Sequence, residues 1–175
     1  MFDFNGRLRK LRGELKKIRA ESLLVTSESN VTYLSGFTGN DSVLLITPDA
    51  QFFLTDSRYT QEAKACVKNF TVMEVTSSLY QTIGEIVRSN RIKTVAFEGM
   101  NLSYQVARNL EGYVGGAKTI PTKNIIERLR AVKDKEKIAR ISASVRMLKA
   151  VLKETAGGVR PGVSEEQLSR RAECS

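Results

Sequence analysis

The 175 residues contain no histidine. That absence removes the usual general base at neutral pH, the imidazole metal ligand and the proton-relaying member of a Ser or Cys triad. Cysteine is scarce: Cys66 and Cys174 stand too far apart in sequence for a metal knuckle or a redox pair. No apolar run reaches the roughly 18 residues that a membrane span requires. The basic stretch from Met1 to Ala20 is not followed by an apolar segment, so it does not read as a secretory signal. Few cysteines and no leader point to a reducing, cytoplasmic compartment. Gly157-Gly158 lacks a following Lys-Ser/Thr and is no phosphate-binding loop. The chain is therefore expected to carry no catalytic residue and no metal site of its own.

What is present is the composition of a globular domain: 41% hydrophobic, 27% charged, three Pro. The net charge is +9, which raises nucleic acid or an acidic partner as a binding target. The excess sits in Arg7–Arg19, where seven Lys/Arg surround Glu14, and in Arg128–Lys153. Both segments have helical apolar spacing, so the charges read as solvated faces of core-packed helices. No aromatic stacking platform or recognition-helix motif accompanies them, which argues against nucleic acid.

Hydrophobic periodicity predicts a first helix from Phe4 to about Glu21, through Leu8, Leu11, Leu15 and Ile18. Leu23–Thr26 reads as a buried strand. Val31–Leu34 reads as one helical turn behind the capping types Ser27, Ser29 and Asn30, with Gly36 as its stop. Val43–Thr47 and Gln51–Thr55, joined by Pro48-Asp49-Ala50, read as an antiparallel hairpin. Asp56 or Ser57 opens a helix to about Val67. Strands at 70–75 and 94–97 alternate with helices at 79–87 and 103–110, and Lys118–Ile120 is a last strand closed by Pro121. The fold class is α/β: a mixed β-sheet with one antiparallel hairpin and helices on both faces.

Beyond Pro121 the pattern becomes helical. Ile125, Ile126, Leu129 and Val132 mark one helix. Asp134 caps a longer one, with Ile138, Ile141, Val145, Leu148 and Leu152 three and four residues apart. Ser164 and Gln167 have capping-box spacing before a final helix. The expected organisation is an α/β domain over 1–122, linker helices over 123–156, and the opening of a further domain over 157–175, with the chain read as a leading piece of a longer protein. The stripe from Ile138 to Leu152 needs a partner surface, and a second copy is expected to supply it.

Four blocks in order resemble the N-terminal domain of the creatinase/prolidase/Xaa-Pro aminopeptidase family of metallopeptidases. They are Asn30-Val31-Thr32-Tyr33-Leu34-Ser35-Gly36-Phe37, Thr55-Asp56-Ser57-Arg58-Tyr59, Leu129-Arg130-Ala131-Val132-Lys133 followed by Glu136 and Ile138, and Val159-Arg160-Pro161-Gly162-Val163-Ser164-Glu165. The resemblance implies a creatinase-like N-terminal domain without catalytic ligands, ahead of a pita-bread domain with two divalent ions (Mn, Co or Zn) on two Asp, one His and two Glu. It implies a parent that hydrolyses Xaa-Pro peptide bonds as an aminopeptidase or dipeptidase, works as a homodimer and takes proline-containing peptides. Such a centre makes a nucleophile of bridged water and polarises the scissile carbonyl, and its ligands would lie beyond Ser175. Two other readings stay open: a stand-alone basic binding module, and the leading part of a metal-independent creatinase-like amidinohydrolase.

By the same resemblance, the loop Gly36–Ser42 reaches over the partner subunit's active site. Phe37 would offer an apolar wall there, and Asn40 and Asp41 hydrogen bonds to a peptide. Phe37 could equally be a core plug, and Asp41 a local turn cap. Arg58 could clamp a substrate carboxylate or pair locally while Asp56 caps its helix. Tyr33 and Tyr59 read as core residues with wet hydroxyls, and Cys66 as a buried small hydrophobe.

Overall fold

Strand alternation assigns each sheet residue to one of two faces. The computed structural model describes residues 2–173, and its elements in order are α1 (Phe4–Lys17), β1 (Ser22–Val25), α2 (Glu28–Ser35), β2 (Ser42–Ile46), β3 (Gln51–Thr55), α3 (Ser57–Cys66), β4 (Thr71–Glu74), α4 (Leu79–Ser89), β5 (Thr94–Glu98), α5 (Tyr104–Tyr113), β6 (Lys118–Thr122), α6 (Ile125–Ala131), α7 (Lys135–Ala156) and α8 (Glu165–Glu173). The described chain divides into two units, one spanning Asp3–Val132 and the other comprising Phe2 with 133–173.

In the first unit the sheet order is β4-β3-β2-β1-β5-β6. Strand β2 runs antiparallel to β1 and β3, while β3–β4, β1–β5 and β5–β6 are parallel. The register pairs Leu24 with Leu45 and Phe97, and Leu44 with Phe53. Leu23, Val25, Leu44, Ile46, Phe53 and Ala96 therefore point to one face, where Leu8, Leu11 and Leu15 of α1, with residues of α2, α3 and α6, complete a buried cluster. Leu24, Leu45, Leu54, Val95 and Phe97 point the other way, onto Ile83, Ile86 and Val87 of α4 and Leu110 of α5. Each fully buried aliphatic or aromatic side chain contributes about 1.5–3 kcal/mol of transfer energy.

The boundaries follow local chemistry. Asp3 caps α1 by accepting from the Gly6 N–H at 2.8 Å. The helix stops at Lys17, short of the expected Glu21, because Arg19 takes φ 56° and turns the chain into β1. Helix α2 is two turns rather than one, and it ends at Gly36 with φ 82°, whose N–H returns to the Thr32 carbonyl. Only glycine suits that position: a Cβ there would also stand 2.8 Å from the Phe4 ring. Pro121 lies within β6 rather than closing it, which the sheet tolerates because β6 is an edge.

The basic first helix is not uniformly a solvated face. Arg7 is 8% exposed; it donates to the Tyr33 carbonyl at 2.7 Å and sits 4.4 Å from the centre of the Tyr33 ring. Arg12 donates to the Thr47 and Ala50 carbonyls and to Gln51 Oε1, so it clasps the hairpin turn. Burial lowers the Arg12 pKa and Asp49 raises it. Arg9, Lys10, Lys16, Lys17 and Arg19 remain exposed.

In the second unit Asp134 caps α7 by accepting from the Lys137 N–H at 2.8 Å. Ser164 and Gln167 form the reciprocal capping box at 3.0 and 3.3 Å. No side chain of α7 or α8 is buried. Cys66, expected to be buried, is exposed at the last residue of α3, because the apolar positions there are taken by Ala63 and Val67. Cys174 lies outside the described residues.

Candidate functional site

Strands β1, β3, β4 and β5 share one direction, so their carboxyl ends lie along a single edge of the sheet. Strand β2 runs oppositely and begins on that edge. The connection from α2 into β2, residues 36–41, therefore crosses the edge where open α/β sheets place their ligands. A groove of about 520 Å³ lies there, between Thr26, Glu28, Asp41, Thr55, Asp56 and Leu79.

Phe37 is 2% exposed and faces inward. Its ring meets Phe53 edge-on at 5.1 Å and Tyr59 at 6.1 Å. It is the core plug of the loop rather than a wall offered to a ligand. Gly39 lies over that ring: a Cβ there would come within 2.6 Å of it. The turn itself is made by Asp41, which has φ 51°. The Thr55 hydroxyl donates to the Asp41 carbonyl at 3.3 Å, and the Ser42 hydroxyl to the Asn40 carbonyl at 3.1 Å. Rigid anchors thus flank an exposed tip, Asn40-Asp41.

Arg58 belongs to that tip. Its Nη2 lies 2.8 Å from Asp41 Oδ2 and 2.5 Å from Asp56 Oδ2, and its Nε donates to the same Asp56 oxygen at 3.0 Å. Asp56 also caps α3, accepting from the Arg58 N–H at 2.9 Å. The Arg58 side chain holds the Asp56 carboxyl below its ordinary pKa, and the two carboxylates raise that of the guanidinium. Phe37, Asn40 and Asp41 share one loop, and Arg58 of α3 reaches that loop at Asp41 while also engaging Asp56. Tyr33 and Tyr59 are half-buried against the core.

Asn30 and Glu98 went unrecognised from sequence. Asn30 has the look of a helix cap, yet it is 0% exposed, and its partners are Glu98, Glu127 and Arg130. No local pattern marks Glu98, since its partners lie about 70 residues away, in the connection from β1 to α2 and in α2 itself. Among the described residues no group of three His, Cys, Asp or Glu is placed to hold a metal ion, so the side chains present do not fit a two-metal centre. Among the same residues no helix is long and apolar enough to cross a membrane.

Residues 7–132 match the family described as the creatinase/prolidase N-terminal domain. The chain belongs to that family. The chain is 31% identical over 167 residues to the Bacillus subtilis (strain 168) protein named uncharacterized peptidase YqhT, covering 95% of this chain and 47% of that protein. An Xaa-Pro dipeptidase from Bacillus anthracis superposes with a TM-score of 0.87 at 24% identity, over 98% of this chain and 48% of the other, a likeness of fold. An Xaa-Pro aminopeptidase P structure from Streptococcus thermophilus is 30% identical with a TM-score of 0.68, and there 74% of this chain covers 99% of the other. The chain spans about half the length of the curated relative it matches.

Proposed function

We propose that this chain is the non-catalytic leading part of an Xaa-Pro peptidase, cytoplasmic and homodimeric, whose reaction takes place on a two-metal centre held by residues outside it. One observation carries the reading: a creatinase/prolidase N-terminal domain followed by two helices aligns with a single half of a peptidase. The role of this part is to shape access. The Asn40-Asp41 tip, anchored by Phe37 and braced by Arg58, is a cover for the active site of a partner subunit, and it favours short proline-containing peptides by restricting entry. A further domain opens over 157–175, with the helices over 123–156 as the linker.

The peptidase reading is favoured over a basic binding module by the fate of the charges on α1. Arg7 and Arg12 are spent on internal hydrogen bonds, and Glu14 pairs with Lys17 at 2.6 Å. The test has two arms. The purified 175-residue chain, supplied with Mn²⁺ or Co²⁺ and an Xaa-Pro dipeptide or longer Xaa-Pro peptide, is expected to give no turnover; turnover by homogeneous chain refutes the assignment. In the full-length protein, Asn40→Ala with Asp41→Asn, which keeps a side chain suited to the positive φ of position 41, is expected to change KM for Xaa-Pro peptides with little change in the unfolding midpoint. An unchanged KM removes the covering role and leaves the family assignment standing.

A further inference from the structure

Asn30 saturates its amide between three segments of the first unit. Its Nδ2 donates one hydrogen to Glu98 Oε1 at 2.5 Å and the other to Glu127 Oε1 at 2.6 Å. Its Oδ1 accepts from Arg130 Nη1 at 2.9 Å, and the same Nη1 lies 2.9 Å from Ser29 Oγ. The second oxygen of Glu98 takes the Thr26 and Ser27 backbone N–H groups at 2.6 and 2.7 Å. The arrangement has two halves. Glu98, Thr26, Ser27 and Asn30 tie the end of β5 to the start of α2. Glu127 and Arg130 come from α6 alone.

Helix α6 is poorly equipped to persist by itself. It has seven residues, well under the length at which an isolated helix is stable. Its N-cap, Asn124, has φ 55° and makes no side-chain cap bond. Ile125 and Ile126 are buried beneath it, yet a cavity of about 100 Å³ remains between Leu23, Ser27, Glu98, Ile125, Ile126 and Glu127. The apolar seal is incomplete, and the polar contacts supply the rest.

We propose that α6 is a strap that opens as a unit, and that Asn30 is the latch holding it shut. Opening releases Glu127 and Arg130 from Asn30, together with the 3.4 Å contact from the Tyr33 hydroxyl to the Leu129 carbonyl. The Glu98 half stays closed and the strand pairing is untouched, while Ile125 and Ile126 leave the face of the sheet they cover. The released segment directly precedes Val132, the last residue of the first unit. Unwinding seven residues from about 1.5 to about 3.3 Å per residue lengthens the joint between the units by roughly 13 Å. The strap is therefore a device for changing reach, and it stands whether or not the parent is a peptidase.

Hydrogen exchange with peptide-level mass spectrometry on the 175-residue chain tests it. In the unaltered chain, amides of 126–131 are expected to exchange faster than those of β1, β2 and β5, through local opening. Glu127→Ala and Arg130→Ala, which leave the Glu98 contacts to Thr26, Ser27 and Asn30 in place, are expected to speed α6 exchange on the order of tenfold while sheet exchange stays put. Asn30→Ala is expected to exceed either. Arg128→Ala, whose guanidinium reaches the Lys123 carbonyl instead, is the control and leaves α6 exchange within about twofold. Should Asn30→Ala fail to fold, the two α6 variants decide. The proposal is overturned if Glu127→Ala and Arg130→Ala leave α6 exchange unchanged, if Arg128→Ala speeds it equally, or if α6 and the sheet exchange at one common rate in every variant.

Discussion

The two units are built from similar proportions of apolar residue and use them in opposite ways. In the first, apolar side chains fill both faces of a six-stranded sheet, and every buried hydrophobic side chain among the described residues lies between Leu8 and Ile126. In the second, Ile138, Ile141, Val145, Leu148 and Leu152 recur at intervals of three and four along α7 and stay 42–57% exposed. That spacing is the seam of a coiled coil, a surface made for another helix. A sheet covered on two faces closes its own core, whereas a pair of helices with single apolar stripes cannot. The first unit buries its apolar side chains within itself; α7 leaves its stripe exposed.

The sharpest test sets one large side chain of each region against the other. Phe53 is 0% exposed and contacts Phe37 and Phe70 edge-on. Phe53→Ala is expected to cost about 3–5 kcal/mol of unfolding free energy, while Leu148→Ala, at a site 57% exposed, is expected to stay within about 0.5 kcal/mol. Urea titration followed by circular dichroism reads both. Comparable losses would mean that α7 belongs to the core and would erase the contrast.

A second test asks what the exposed seam does. Ile141→Glu with Leu148→Glu is expected to leave the urea midpoint of the first unit in place and to convert a self-associating 175-residue chain into monomers, as read by sedimentation velocity. The five seam side chains are 42–57% exposed, so each forgoes about half of the roughly 1.5–3 kcal/mol that full burial brings, and two charges in the seam oppose that gain. An unaltered chain that sediments as a monomer across the micromolar range would deny this use of the seam.

The same contrast governs what the sequence discloses. Where one local rule decides, reading and structure agree: the short Pro48-Asp49-Ala50 turn between the apolar runs of β2 and β3, Asp56 ahead of α3, the Ser164–Gln167 box, Gly36 as a left-handed stop. The mixed sheet with its hairpin followed from these. Where a long-range partner decides, reading falls short. Asn30 looks like a cap and is a hub, because Glu98 and Glu127 reach it from positions 68 and 97 residues away. Arg7 and Arg12 look solvated and are structural, since the acceptors they serve are carbonyls of α2 and of the hairpin. Phe37 carried two readings of equal standing until its neighbours Phe53 and Tyr59 placed it in the core. Cys66 sits on a helix whose buried line runs through Thr60, Ala63 and Val67, an offset that residue type alone does not reveal.

The smallest expected effect concerns the charges that brace the loop tip. Asp56 has its pKa lowered, chiefly by the side-chain hydrogen bond from Arg58. A carboxyl with a depressed folded-state pKa binds fewer protons folded than unfolded, so its stabilising contribution is present above the unfolded value of about 3.9 and fades as pH falls through the lower folded value. Asp56→Asn is therefore expected to lower the urea midpoint slightly at pH 7, and the difference from the unaltered chain is expected to shrink below pH 4. Because the group is solvent-exposed, salt should weaken the effect at pH 7 as well. Arg58→Ala is expected to reproduce the pH dependence of Asp56→Asn and, in addition, to unpin Asp41. A difference that grows toward low pH would mean that the Asp56 carboxyl is strained by its neighbours rather than held by them, and the loop tip would then owe its shape to Phe37 and the Thr55 hydroxyl alone.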